Sequence, residues 1–279
     1  MATTIIEVFN KYFEMVPATS DALKKEVYKL RYQVYCIETR FENPDHYPEG
    51  LEFDEFDQQS IHYLIRHRSS GDFAATTRLI LPDANNPEKL FPAELYCKID
   101  NVAVLGSVDR KHLAEISRFC VSKAFKKRKN EAHTLVGIDT NWQPNDFTLD
   151  ERRTFPHISL ALMVCAIRAS YENNIYYTYA AMESALLRFL STLGINFIKI
   201  GPLGDYHGER WPAMIKAMDM YDNVAEKNLD IWDLLTNKGC YWPSAKTSVS
   251  PKGACSLGNY KDQVVGARCA PETVFTGNS

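Results

Sequence analysis

Apolar side chains return at steps of four and three at Leu23, Val27, Leu30, Val34 and Ile37, the stripe of an amphipathic helix. Thr19, Ser20 and Asp21 supply N-cap chemistry just ahead of it. Arg31 and Tyr35 border that stripe, each one turn after an earlier member of the segment. After "TRFENPDHYPEG", a loop by its turn residues, the period shortens. "IHYLIRH" and "FAATTRLIL", joined by "RSSGD", predict a β-hairpin. A connection containing Pro and Asn leads to "LAEISRFCV", another strand, and residues 124–155 are polar enough to predict a mobile loop.

"PHISLALMVCAIRASYENN" is apolar almost all round behind Pro156, which predicts a buried helix. It either packs in the core or lines an apolar pocket. Strand "IYYTYAAM", helix "ESALLRFLSTLG" ending on Gly194, strand "INFIKIGPL", strand "WPAMIKAM" and a helix from Asp219 to about Gly239 complete the series. A helix, antiparallel strands and then alternating strands and helices describe an α/β fold with a mixed sheet. Residues 1–239 read as one domain, and 240–279 as an extended or partly disordered tail.

Composition narrows the function only a little. The net charge of −3 and the 24% of charged residues point to neither nucleic acid nor a membrane surface. Seven cysteines, an odd number without a CxxC pair, support neither a disulfide framework nor a zinc site. The N-terminus does not read as a signal peptide, and "ISLALMVCAI" is too short to span a bilayer, so a cytoplasmic setting is expected.

Local charge is more informative. Arg31, Asp54, Asp57, Arg78, Glu115 and Arg118 all sit beside apolar structure, three cations against three anions. They are separate surface charges, a structural ion network, or a site that orients a polar substrate. Glu115 and Arg118 lie inside a strand, where an unpaired ion costs several kcal/mol.

"LRYQVYCIETRFENP", "EFDEFDQQSIHYLI", "ATTRLILP" and "AEISRFCVSKAFKKR" occur in that order. The series resembles the acyl-homoserine-lactone autoinducer synthases, the N-acyl amino acid synthases, and especially the acyltransferases of PEP-CTERM/exosortase systems. This resemblance implies a GNAT-like fold, in which helices flank a central splayed, mixed, largely antiparallel sheet. It implies an enzyme that carries a medium or long acyl chain from a thioester to an amine, with no tightly bound cofactor and no metal. Residue by residue, it assigns catalysis to Glu115, Arg118 and Arg78. Substrate binding falls to Arg31, Tyr35, Phe41, Asp54, Asp57, Phe119 and, in "YHGER", His207. Phe41 stands where the autoinducer synthases carry tryptophan.

Aminolysis of a thioester needs a neutral amine, and a carboxylate of raised pKa suits the deprotonation. Strict alternation would put Glu115 and Arg118 on opposite faces. The GNAT resemblance leads to the expectation of a β-bulge that turns both to one cleft and frees a backbone N–H for the thioester oxyanion. After this strand comes "KAFKKRKNEAH", without the glycines that let a backbone grip a pyrophosphate. Lys123, Lys126, Lys127, Arg128 and Lys129 stand there instead, cations that suit docking of an acidic acyl carrier protein. Acyl carrier protein is therefore expected as donor in preference to acyl-CoA, with an amino acid or similar small amine as acceptor. Acylation of S-adenosylmethionine, as in autoinducer synthesis, and a non-catalytic sensor of acyl chains or carrier protein are the alternatives.

Overall fold

The computed structural model describes residues 5–101, 108–126, 135 and 156–241. The amphipathic start forms a helix, α1 (Ile5–Tyr12), and runs straight into a strand that the hydrophobic pattern did not reveal, β1 (Phe13–Pro17). Ser20 then caps α2 (Asp21–Arg31), its hydroxyl accepting from Leu23 N at 3.3 Å. From Tyr32 to Glu38 the helix widens to a π-helix, and Thr39 N closes on Val34 O at 3.0 Å. This shift breaks the expected stripe. Tyr35 and Cys36 turn inward, while Ile37 is 48% exposed.

The hairpin is present as β2 (Ser60–His67) and β3 (Phe73–Ile80). The connection after it contains a short helix not anticipated from sequence, α3 (Pro92–Tyr96), before β4 (Leu113–Val121). The buried helix is α4 (Pro156–Glu172), followed by β5 (Tyr177–Met182) and α5 (Ser184–Thr192). The expected strand at 195–203 shrinks to β6 (Ile198–Lys199), with Gly201 and Pro202 closing off its C-terminal side after Ile200. β7 (Gly204–Asp205) and β8 (Glu209–Lys216) form a tight hairpin. The last expected helix is two, α6 (Ala217–Lys227) and α7 (Leu229–Thr236), parted at Asn228, whose side chain caps the second.

The sheet order is β1-β2-β3-β4-β5-β8-β6, with β7 on β8. Every pairing is antiparallel except β4–β5. The α/β GNAT-like architecture expected from the motifs is therefore present, with a mixed, largely antiparallel sheet flanked by helices. α2 covers the face that carries His62 and Arg78, while α4 lies on the opposite face, where Tyr63 feels Arg168. A smaller apolar cluster of Phe56, Ile80, Phe91, Leu113, Tyr179 and Met214 gathers beneath α3. Among the described cysteines Cys36, Cys97, Cys120 and Cys165 are free, and Cys240 is disulfide-bonded. No helix among the described residues is long and apolar enough to cross a membrane. Beyond Tyr241 the expected tail lies outside the described residues, as does most of 124–155.

Gly194 ends α5 with φ +90°, as the sequence anticipated, and a Cβ there would lie 2.9 Å from Asn223 O and Val224 Cα. Gly194→Ala should lower stability by about 1–3 kcal/mol, from the left-handed backbone and overpacking together. Urea unfolding measures this, and an unchanged midpoint would contradict it.

Candidate active site

Three arginines from three elements converge on one short acidic segment. Arg31 ends α2, Arg78 lies in β3 and Arg118 in β4, and all three are at most 8% exposed. Arg31 pairs through Nε with Glu52 and donates Nη1 to Asp57 Oδ1 at 2.6 Å. Arg78 Nη1 reaches Asp54 Oδ1 at 2.5 Å and Asp57 Oδ1 at 2.8 Å, and its Nε donates to Ser117 Oγ at 2.9 Å. Arg118 meets Glu52 Oε1 at 2.9 Å, Asp54 Oδ2 at 3.3 Å and Glu42 Oε1 at 3.4 Å.

The carboxylates are fixed in turn by the chain. Asp54 and Asp57 form a reciprocal capping box on the 3₁₀ turn Glu55–Gln59. Burial pushes Glu52 and Asp57 toward protonation, but the arginines outweigh it. Arg31 and Arg118 hold Glu52 well below the ordinary carboxylate range, and Arg31 and Arg78 bring Asp57 to about 2.

Glu115 has the opposite environment. It is 1% exposed, on the strand face that meets the α3 cluster, and forms no ion pair among the described residues. Ala93 N–H donates to its Oε2 at 2.8 Å. Burial raises its pKa to about 8, only partly offset by that N–H and by Arg78. A carboxyl group poised there exchanges protons readily near neutral pH.

Topology places this group at an opening. β4 and β5 pair only from Leu113↔Tyr177 to Glu115↔Tyr179, after which the strands part. Between Thr76↔Cys120 and Arg78↔Ser117, Arg118 and Phe119 stand against the single residue Thr77, the expected bulge. Arg118 itself has φ +48°, a strained backbone for a non-glycine residue. Glu115, Arg118 and Phe119 consequently line one cleft, together with Tyr35, Met163, Tyr206, His207 and Arg210.

The remaining residues singled out from sequence sort by position. Arg31, Asp54, Asp57 and Arg78 build the ion network behind the cleft. Tyr35 lies under the Arg118 guanidinium at 5.1 Å, and Phe41 packs beside His207 with ring centroids 6.3 Å apart. His207 approaches Glu42 at 3.4 Å, and burial lowers its pKa to about 4, so it is a neutral imidazole at pH 7. Of the five cations named for docking, Lys123 is exposed. Lys126 is turned inward toward Glu38 at 3.8 Å and offers no surface charge, which corrects its assignment. Lys127, Arg128 and Lys129 lie outside the described residues. Cys120 is fully buried, its thiol pushed up to about 12 by burial, in keeping with a core thiol.

Sequence reasoning passed over Glu52, Glu42 and Glu183, and assigned no role to Tyr206 and Arg210 of "YHGER" beside His207. Glu52 carried a signal, a carboxylate set between Leu51 and Phe53 two positions before Asp54. The others join the site through loop and hairpin geometry that no periodicity shows.

Residues 30–136 match the family described as acetyltransferase (GNAT) domain. The match begins at the end of α2 and takes in every arginine and carboxylate of the network, and Glu115 as well. The fold is similar to that of TofI in a ternary complex with an inhibitor and MTA, at 14% identity and a TM-score of 0.50. That similarity covers 80% of this chain and 96% of that one. Two further similar structures are FeeM, an N-acyl amino acid synthase from uncultured soil microbes, and BjaI, a CoA-dependent acyl-homoserine lactone synthase. FeeM gives 13% identity, TM-score 0.48 and coverage of 76% and 93% of the two chains. BjaI gives 14%, 0.48, 91% and 98%. Curated protein sequences show no match.

Glu52→Gln would leave Arg31 and Arg118 buried without their shared carboxylate, a loss of about 3–5 kcal/mol. The expected result is a thermal midpoint lower by roughly 10 °C, read by calorimetry. Because Glu52 and Asp57 are depressed in the folded state, their contribution is present above pH ~4.5 and lost as pH falls through their folded values. The variant's stability should accordingly fall less steeply below pH ~4.5 than the parent's. Equal acid limbs would show that Glu52 does not stabilise the fold through its ionised form.

Proposed function

We propose that the protein is an N-acyltransferase that moves a medium or long acyl chain from a thioester to the amine of an amino acid or similar acceptor. The observation that carries this reading is Glu115, a buried carboxyl group with its pKa near 8 at the point where β4 and β5 separate. The match of residues 30–136 to an acetyltransferase domain supports the reaction class. The ordered motifs around Arg31, Asp54, Arg78 and Arg118 support the narrower one.

The reaction runs as follows in this geometry. Glu115, in its ionised form, takes a proton from the acceptor ammonium, directly or through a water. The neutral nitrogen attacks the thioester carbonyl carbon, forming the C–N bond and an oxyanion. The bulge takes Arg118 and Phe119 out of the β3 register, which makes their N–H groups candidates to receive that oxyanion. Collapse breaks the C–S bond, and the thiolate leaves with the proton that the nitrogen gives up. Amines of pKa ~8–10 are close enough to Glu115 in basicity for the first step to be nearly balanced.

The donor in this reading is acyl carrier protein rather than acyl-CoA, because no glycine follows β4 where a pyrophosphate would need close backbone approach. Lys123, exposed just beyond the strand, is the described residue placed to meet an acidic carrier.

Two measurements test the proposal. The first follows thiol release and product mass with matched acyl carrier protein and acyl-CoA donors, pooled amino acids and S-adenosylmethionine. N-acyl amino acids formed from the carrier donor are expected. Equal turnover of the CoA donor removes the carrier preference, and a product of S-adenosylmethionine makes this an autoinducer-type synthase. Carrier binding without thiol release would make the protein a sensor.

The second is the pH profile. With Glu115 as base, kcat/KM should climb until about pH 8 and then level off. Glu115→Gln should lower kcat/KM about 10²–10⁴-fold and abolish that limb. A variant that keeps the parent's profile would remove Glu115 from the chemistry.

A further inference from the structure

The arginines of the ion network are poorly placed to receive a ligand carboxylate in the cleft. Arg31 and Arg78 are enclosed behind the cleft and do not line it. Arg118 does line it, but its guanidinium already faces Glu42, Glu52 and Asp54. A further carboxylate beside Arg118 would meet three negative charges as well as one positive.

Arg210, in β8, differs on each count. It lines the cleft with Glu115, is 5% exposed, and has one carboxylate neighbour among the described residues, Glu183 at 3.0 Å. Its Nη2 donates to His207 O at 2.8 Å, which fastens the guanidinium to the β7–β8 turn. That turn carries two successive left-handed residues, His207 at φ +55° and Gly208 at φ +91°. Phe41 lies 5.8 Å beneath the guanidinium, and a Cβ on Gly208 would touch its ring at 3.3 Å. The fork is therefore held by packing and by a backbone carbonyl, and does not depend on Glu183 for its position. A guanidinium carries five donors in a planar fork that suits a carboxylate. Glu183 is a partly exposed partner, 16% by side chain, at the end of β5.

We propose that Arg210 binds the carboxylate of the acceptor, with Glu183 as the internal carboxylate that the acceptor displaces or shares. The acceptor is then an amine that bears a carboxylate close to its nitrogen, as an amino acid does, rather than a simple amine or an amide. This rests on the N-acyltransferase reading, whose product would be an N-acyl amino acid.

The experiment uses binding, so that it does not depend on turnover. Calorimetry would compare N-dodecanoylglycine with its carboxamide on the full chain, on Arg210→Gln and on Glu183→Gln. The parent should bind the acid about 10–100-fold more tightly than the amide, the range of hydrogen bonds to a charged group. Arg210→Gln should bring the acid down to the amide's affinity and leave the amide unchanged. Glu183→Gln should tighten the acid several-fold, because the competing charge is gone while the amide oxygen still accepts from Leu135 N. A purely structural ion pair predicts that both variants weaken both ligands.

Equal binding of acid and amide to the parent, or a preference that survives Arg210→Gln, overturns the proposal. Failure of both ligands to bind overturns it together with the reading beneath it. An acid preference that depends on Arg210, in a protein that transfers no acyl group, would keep the carboxylate site and reject the transferase.

Discussion

The structure depends on Glu52, a carboxylate with no exposure that two buried arginines share. Arg31 reaches it from the end of α2 and Arg118 from the middle of β4, so one side chain ties a helix, a loop and a strand far apart in sequence. Without it Arg31 would keep only Asp57 at close range, and Arg118 only Asp54 and Glu42, so both guanidinium groups would stay buried with part of their charge uncompensated. Asp54 and Asp57 extend the same arrangement to Arg78, and their capping box keeps the acidic segment in one shape. The strained backbone of Arg118 becomes intelligible here. Its side chain is held by three carboxylates, and the bulge at 118–119 is the conformation that lets the strand deliver it to them.

Glu52 and Glu115 show how environment divides one chemistry into two functions. Both are essentially excluded from solvent, and burial pushes both toward the protonated form. For Glu52, paired arginines overwhelm that push, and the group stays ionised as a structural anchor. For Glu115, on the strand face that meets the apolar cluster beneath α3, one backbone N–H and the more distant Arg78 and Arg118 oppose the push, and the push prevails. Residues that differ only in their partners thus end up on opposite sides of neutral pH. In the proposed reaction this separation gives a fixed scaffold and a mobile proton within one small volume.

Much of this was legible from residue pattern. The hairpin, β4, the apolar α4, and the cap residues Ser20 and Gly194 follow from period and turn chemistry, which are local properties. The charges Arg31, Asp54, Asp57, Arg78 and Arg118 were conspicuous because they interrupt apolar structure, and they do meet. What escaped was set by distant partners. The π-helix at Tyr32–Glu38 departs from a stripe that continues at 3.6-residue spacing, and it places Tyr35 beneath Arg118. β6 was cut short by the Gly201–Pro202 pair, where a Cβ on residue 201 would meet Lys98 O at 1.9 Å. Lys126 sat in a run of cations and read as exposed, yet its side chain is buried, since Glu38 waits inside. Arg210 closes the "YHGER" stretch, in which only His207 was assigned a role, and its place at the cleft emerges only when the β7–β8 hairpin folds over Phe41.

The position of the cleft follows from topology more than from any one residue. In a sheet that is otherwise antiparallel, β4 and β5 run parallel, and each must leave the pair at the same end. β5 reaches Glu183 and turns into α5, while β4 is bulged by Arg118 and Phe119 and stays with β3. Three register pairs are all that hold the two strands together, and Glu115 is the last of them on β4. A carboxyl group at that point is covered by the sheet on one side and faces an opening on the other. The same split brings Glu183 to the far wall, where β8 supplies Arg210 opposite the end of β5. Glu115 and Arg210, the groups proposed for proton transfer and carboxylate binding, thus lie on the diverging strand β4 and on β8 beside β5, a separation set by the backbone. Substitutions that alter either side chain leave that backbone spacing in place, so the two proposed roles can be probed separately.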